Sequence, residues 1–240
     1  MIERRPFADL GTADHGWLKA RFHFSFADYH DQRRMGWGAV RVWNNDRIAA
    51  GAGFSPHPHR DMEIITYVMR GAISHEDHLG NRGRTAAGQI QVMSAGTGIV
   101  HAEYNHESEE TELFQIWLIP NQLRVKPRWE TVMFPAGDRV GRLLPLASGR
   151  PEHADALPLH ADGALYAATL AAGQTTALRL DGRSAYLVPA RGALSVNGVT
   201  VETRDGVAID NEAEITLTAN VNSEVVLVET GGMGRQPDNR

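Results

Sequence analysis

A chain of 240 residues that is 42% apolar and 22% charged has ordinary globular composition, and it is long enough to bury a core without a metal or disulfide to hold it. Zero cysteines exclude disulfide frameworks, thiolate zinc sites and cysteine nucleophiles, so any metal must be held by His, Asp or Glu. The net charge of -5 is spread evenly, with 12 Lys/Arg against 15 Asp/Glu in residues 1–120, which leaves no basic patch and no expectation of direct nucleic-acid binding.

The first residues, Met1-Ile2-Glu3-Arg4-Arg5-Pro6, lead into no apolar stretch, and no apolar run approaches the ~20 residues of a membrane span. The expectation is a cytoplasmic protein with no membrane association. Around His23 and His30, Phe22, Phe24, Phe26 and Tyr29 suggest a packed strand and turn. Short runs of strand character follow at 38–43, 62–69, 89–93 and 113–119, the last closed by Pro120. Residues 135–158, rich in Pro, Gly, Ala and His, resemble a linker. Strand character then resumes at 164–170, 175–180, 185–188, 199–202, 214–218 and 224–229. Short strands punctuated by Gly and by Asn197-Gly198 predict an all-β sandwich or barrel.

A faint internal repeat divides these strands into two units. Arg70-Gly71-Ala72-Ile73-Ser74 recurs as Arg191-Gly192-Ala193-Leu194-Ser195, each copy following an apolar strand. Gly88 has a candidate counterpart in Gly206. The expected domains are 1–134, a linker at 135–158, and 159–240, each unit of ordinary domain size.

Six of the 11 histidines lie between His57 and His106. In Pro56-His57-Pro58-His59, His57 precedes a proline and is pushed toward extended geometry. Residues two apart on a strand share a face, so His57 and His59 present their imidazoles side by side. His101 and Glu103 repeat that spacing with one imidazole and one carboxylate. Two such strands together offer three His and one Glu, a set suited to Fe, Mn, Co, Ni, Cu or Zn. Burying that cluster without a cation would strand an unpaired carboxylate. His75 and His78, flanking Glu76-Asp77, are expected to belong to a solvated strand end, and His106 to an acidic exposed loop. Gln115 and Trp117 alternate along a strand, either face of which could point inward.

The motifs carry a resemblance. Gly51, then His57-x-His59, then Glu63 resembles the first cupin motif; Gly88, Ser94-Ala95-Gly96 and His101 with Asn105 resemble the second. More specifically, His57-Pro58-His59-Arg60-Asp61-Met62-Glu63 and the run from Met93 to Asn105 resemble the pirin family, and within it the bacterial pirins with quercetin 2,3-dioxygenase activity. The resemblance implies a bicupin, two tandem cupin-type β-barrels (double-stranded β-helix), with one divalent metal ion in the first. Fe is the leading expectation, and Mn, Co, Ni, Cu or Zn are the alternatives. It puts the ligands at His57, His59, His101 and Glu103. General cupins would instead use Glu63, which is an even number of residues from His59 and is expected to support a ligand histidine; Gln115 is a second supporting candidate. Ser94 in place of the general motif's Pro, and the longer spacing from Gly96 to His101, are departures that pirins share.

The implied reaction is metal-dependent cleavage of a flavonol such as quercetin by O2 with release of carbon monoxide, Glu103 also taking the substrate's proton. The alternative is a redox-responsive metal-binding regulatory protein acting through a protein partner. The repeat carries a separate expectation: the counterparts of the four ligands, Leu178, Leu180, Ala219 and Val221 at the repeat's spacing, are all apolar, so the second barrel should bind no metal.

Overall fold

The computed structural model describes residues 1–231. The tail at 232–240, the end of the expected second domain, lies outside the described residues. The first half of the chain supplies β1 (Ile2–Arg5), β2 (Gly11–Asp14), β3 (Leu18–Phe22), β4 (Val40–Ile48), β5 (Gly53–His59) and β6 (Glu63–Arg70). It continues with β7 (Ala72–Asp77), β8 (Arg82–Ala86), β9 (Gln89–Ser94), β10 (Ile99–Tyr104), β11 (Thr111–Leu118) and β12 (Arg128–Met133). The second half supplies β13 (Leu144–Ser148), β14 (Leu157–Pro158), β15 (Gly163–Leu170), β16 (Thr175–Arg179) and β17 (Ser184–Arg191). It ends with β18 (Leu194–Val196), β19 (Val199–Val201), β20 (Gly206–Ile209), β21 (Glu214–Ala219) and β22 (Ser223–Thr230). The chain is all-β: among the described residues the helical elements are three short 3-10 turns. No helix of the described residues is long and apolar enough to cross a membrane.

Four sheets make two barrels. In the first barrel, β12-β9-β6-β11-β4-β3-β2 faces the smaller sheet β5-β10-β7-β8; in the second, β1-β20-β17-β22-β15-β13-β14 faces β16-β21-β18-β19. The orders are copies of one another, with β6, β7, β10 and β11 answering to β17, β18, β21 and β22. The repeated Arg-Gly-Ala turn joins β6 to β7 and β17 to β18, with Gly71 and Gly192 both in the left-handed region at φ 74° and 77°. A Cβ on either would collide with the first residue of the strand facing it, Thr111 or Ser223. Glycine is required there for space as well as for backbone conformation. Gly88 and Gly206 do not correspond in this way: Gly88 has φ 89°, whereas in the second copy the left-handed residue is Arg204, φ 69°.

Two features cut across the boundary expected from sequence. β1, at the start of the chain, pairs antiparallel with β20 and so completes the second barrel. Between residues 135 and 158, β13 and β14 are the last two strands at one side of that same sheet, with β14 at its edge. The barrels are joined by one apolar cluster in which Trp43, Ile65, Phe114 and Ile116 of the first meet Leu165, Tyr186, Val188 and Val226 of the second. Trp43 lies with ring centroids 5.5 Å from Phe114 and 5.6 Å from Tyr186. Each such fully buried side chain contributes roughly 1.5–3 kcal/mol relative to exposure.

The interiors differ. The second barrel is filled by Leu180, Leu194, Val196, Ile215, Leu217 and neighbours. The first encloses a cavity of about 1110 Å³.

Candidate metal centre

β5 and β10 are adjacent antiparallel strands whose register sets His57 directly opposite His101 and His59 opposite Ile99. A register shift between His101 and Glu103 marks a bulge between these two buried residues. Ring centroids are 4.5 Å apart for His57 and His101, 4.9 Å for His57 and His59, and 5.1 Å for His59 and His101. The donor nitrogens of the three rings lie within 4.8 Å of one another; those of His75 and His101 and the carboxylate of Glu103 form a second such group.

Hydrogen bonds fix which nitrogen each ring can offer. His57 Nδ1 is 2.8 Å from the Ser55 carbonyl, an acceptor only, so Nδ1 carries the proton and Nε2 is free. His75 Nε2 is 3.0 Å from the Asp77 carboxylate, and His75 Nδ1 is 3.4 Å from His101 Nδ1. A proton on His75 Nε2 therefore leaves its Nδ1 to accept from His101, whose Nε2 is left bare. That Nε2 is buried and has no protein partner. Burial, then the charge of His57, lowers the His59 pKa to about 4; burial, then His57, His59 and His75, lowers that of His101 to about 2. Both rings are neutral near pH 7, the form that binds a metal. A cluster of three imidazoles with one orphaned buried nitrogen fits a divalent transition metal ion.

Glu103 is 3% exposed and is held from two sides. Gln91 Nε2 donates to one carboxylate oxygen and Gln115 Nε2 to the other, the latter at 3.1 Å. Burial raises its pKa to about 7 against the lowering effect of those two bonds. In this conformation it belongs to the group with His75 and His101 rather than to that of His57 and His59, because the two amides hold the carboxylate.

The structure places the two supporting candidates differently: Gln115 donates to Glu103, whereas Glu63 lies elsewhere. Glu63 accepts from Ser94 Oγ at 2.8 Å and shares the face of Ile65 and Tyr67, which packs toward the second barrel. It contacts no ligand histidine, because the chain turns between β5 and β6 at Asp61, φ 45°, and counting residues across that turn carries no face information. Gln115 and Trp117 both face the cavity, Trp117 edge-on to His59 with centroids 4.9 Å apart. His75 and Asp77, expected at a solvated strand end, are 2% and 7% exposed, and His75 stacks on Trp129 at 4.8 Å and 10°. The available signal was alternation: His75 and Asp77 are two apart on β7, with exposed Glu76 between them. Burial works against ionising Asp77, but hydrogen bonds from Asn81, His75 and Leu79 outweigh it and keep the pKa below the usual value. His106 stacks on Tyr104, and His23, with burial lowering its pKa to about 3, meets the Tyr186 hydroxyl at 3.0 Å between the barrels. Met93 lies in the apolar cluster beneath the site.

The strand register also identifies the counterparts of the candidate ligands in the second barrel. Ser74 and Ser195 hold equivalent places beside Tyr104 and Thr218, so His101 and Glu103 correspond to Ile215 and Leu217, and His57, paired with His101, to Leu178, paired with Ile215. The residues differ from the Ala219 and Val221 obtained by a constant spacing because β18 and β19, three residues each, replace β7 and β8 of six and five. The chemistry is the same: every counterpart is apolar.

Comparison with known proteins agrees with this architecture. The family model described as Pirin matches residues 3–118, and that described as the quercetinase C-terminal cupin domain matches residues 146–230. A pirin-like protein of Caulobacter vibrioides is 58% identical over 230 residues, covering 95% of this chain and 99% of its own. A quercetin 2,3-dioxygenase of Escherichia coli is 41% identical over 232 residues, with 95% and 98% covered. The crystal structure of the bacterial pirin YhhW from Escherichia coli in complex with nickel(II) superposes with a TM-score of 0.91 at 39% identity, covering 97% of this chain and all of that one. On the sequence matches, the shared two-barrel fold and the histidine cluster inside the first barrel, this chain belongs to the pirin family.

Proposed function

We propose that the protein is a metal-dependent dioxygenase that opens the ring of a flavonol such as quercetin with O2 and releases carbon monoxide. The observation that carries this reading is the first barrel's cavity: His57, His59, His101 and Glu103 on a wall that continues into Phe22, Phe26, Tyr29, Phe54 and Trp117. A pocket of this size, mostly apolar with a few converging polar groups, suits a flat aromatic ligand. The name of the Escherichia coli relative supports it.

His57, His59 and His101 would hold one divalent ion, Fe being the first candidate, with Glu103 as fourth ligand after giving up one of its amide bonds. Such an ion polarises a substrate hydroxyl and favours its deprotonation. The chain's own groups supply the rest. Asp77 and His75 orient His101; Gln91 and Gln115 aim Glu103, which takes the hydroxyl proton. Trp117 and Phe54 exclude water from the ring under attack. Incubation with quercetin in air, with Fe, Mn, Co, Ni and Cu each loaded in turn, should give substrate-dependent O2 uptake with carbon monoxide as product. No uptake with any of the five would refute the reading.

A further inference from the structure

The cavity holds two more polar side chains that the reaction above does not use. β4 passes along its wall, and Asn44 and Asp46, two residues apart and therefore on one face, both line it. Each is about as buried as the ligand His101, at 3% exposure. Asn44 Oδ1 and Asp46 Oδ1 have no hydrogen-bond partner in the protein. Their cross-strand neighbours explain why. Asp46 lies between Ala20 of β3 and Leu113 of β11, and Asn44 between Phe22 and Gln115, whose amide is committed to Glu103 and Thr66. Buried polar atoms are normally paired, and exceptions mark a missing partner.

We propose that Asn44 and Asp46 form a hydroxyl-recognition subsite, which pairs with O–H groups on an aromatic ring of the substrate other than the one engaged at the metal. The inference rests on the flavonol reading and deepens it to polyhydroxylated flavonols. The two free atoms are both acceptors, so the ligand group that satisfies them is a donor. A hydroxyl both donates and accepts, so it pairs with Asp46 whether or not that carboxyl is ionised. The aromatic side chains around the subsite, Phe22 on one side and Tyr29 and Phe26 beyond, suit the faces of the ring that carries the hydroxyls. A site built to bond a hydroxyl discriminates strongly against an analogue lacking it, because its own polar groups are then left unpaired.

The test compares quercetin with galangin, the same flavonol without hydroxyls on its pendant ring. Affinities are measured for the metal-loaded protein without O2, by quenching of tryptophan fluorescence, and turnover is measured separately. Wild type should favour quercetin by at least about tenfold, and Asp46→Leu should bring the ratio close to one. Asn44→Leu, which leaves the carboxylate in place, should lower it part of the way. Elemental analysis and a thermal melt identify any variant that has lost its fold, and Asp46→Ala, which also removes both carboxyl oxygens, then replaces Asp46→Leu. Equal binding of the two flavonols by wild type, or a ratio unchanged in both Asn44→Leu and the folded Asp46 variant, overturns the subsite. O2 uptake with an unchanged ratio refutes the subsite alone, whereas failure to bind either flavonol refutes it together with the proposed substrate.

Discussion

His75 Nδ1 lies 3.4 Å from His101 Nδ1, and the far nitrogen of the same ring lies 3.0 Å from Asp77. A carboxylate, a histidine and a candidate ligand thus form one line of hydrogen bonds, with Trp129 flat against the middle ring. Such outer partners fix the tautomer of a ligand histidine and raise its basicity.

Breaking this line should weaken the metal site without removing a ligand. His75→Phe keeps the stack on Trp129 and deletes both hydrogen bonds, and Asp77→Asn removes the charge. Each should lower metal affinity by about 10–100-fold, measured by competition with a chelator. Unchanged affinity in both would show that the line is structural only.

Metal content should distinguish the two barrels. Elemental analysis of the loaded protein should give one ion per chain, and His101→Ala should reduce it to background. The matching positions in the second barrel, Leu178, Ile215 and Leu217, are packed in or against its apolar cluster and offer no donor atom. Two ions per chain, or retention of one by His101→Ala, would contradict the assignment.

Asp46 gives the metal-free protein a pH signature. Burial, then the Glu103 charge, raises its pKa to about 7, so the folded state binds its proton more tightly than the unfolded chain, where the value is near 3.9. The sign follows from linkage: the folded form is favoured by this group below about pH 4, and that advantage is lost as pH rises toward 7. Asp46→Asn should therefore gain stability relative to wild type as pH increases across that window. The gain is on the order of 1–4 kcal/mol at its upper end, toward the lower figure where water enters the cavity. Paired denaturant titrations at pH 4.5 and 7 check it, and a difference that is flat or falls with pH would contradict the burial of this carboxyl.

Gly71→Ala should destabilise the protein by several kcal/mol, since it combines a left-handed backbone with a Cβ 2.6 Å from Thr111 Oγ1. Gly51→Ala is the control, because φ is 72° there and nothing lies within 4 Å of the added carbon. It should cost about 1 kcal/mol, the backbone term alone. Equal losses in the two variants would refute the close approach at Gly71.

The parts of this architecture legible in sequence are those written in local pattern. His57 with His59 and His101 with Glu103 signal two strands because the period of a strand is two, and the Arg-Gly-Ala turn appears twice because each barrel needs the same glycine corner. Glu63 was misplaced by applying that parity across Asp61, where the chain leaves the strand. His75 and Asp77 were assigned to solvent on composition, although their alternation with Glu76 matches a half-buried strand; what buries them, Trp129, lies far along the chain. No local pattern announces the pairing of Ile2–Arg5 with Gly206–Ile209, since the strand's partner is fixed by the closure of another barrel.

That pairing has a consequence for biosynthesis. The strand Ile2–Arg5 is a component of the second barrel, and its partner Gly206–Ile209 is made about 200 residues later. The strand stays unpaired while the first barrel closes around its own strands, and its docking joins segments far apart in the chain. A bulky fusion placed directly before Ile2 would act on the distant barrel first, slowing maturation while leaving the histidine cluster intact.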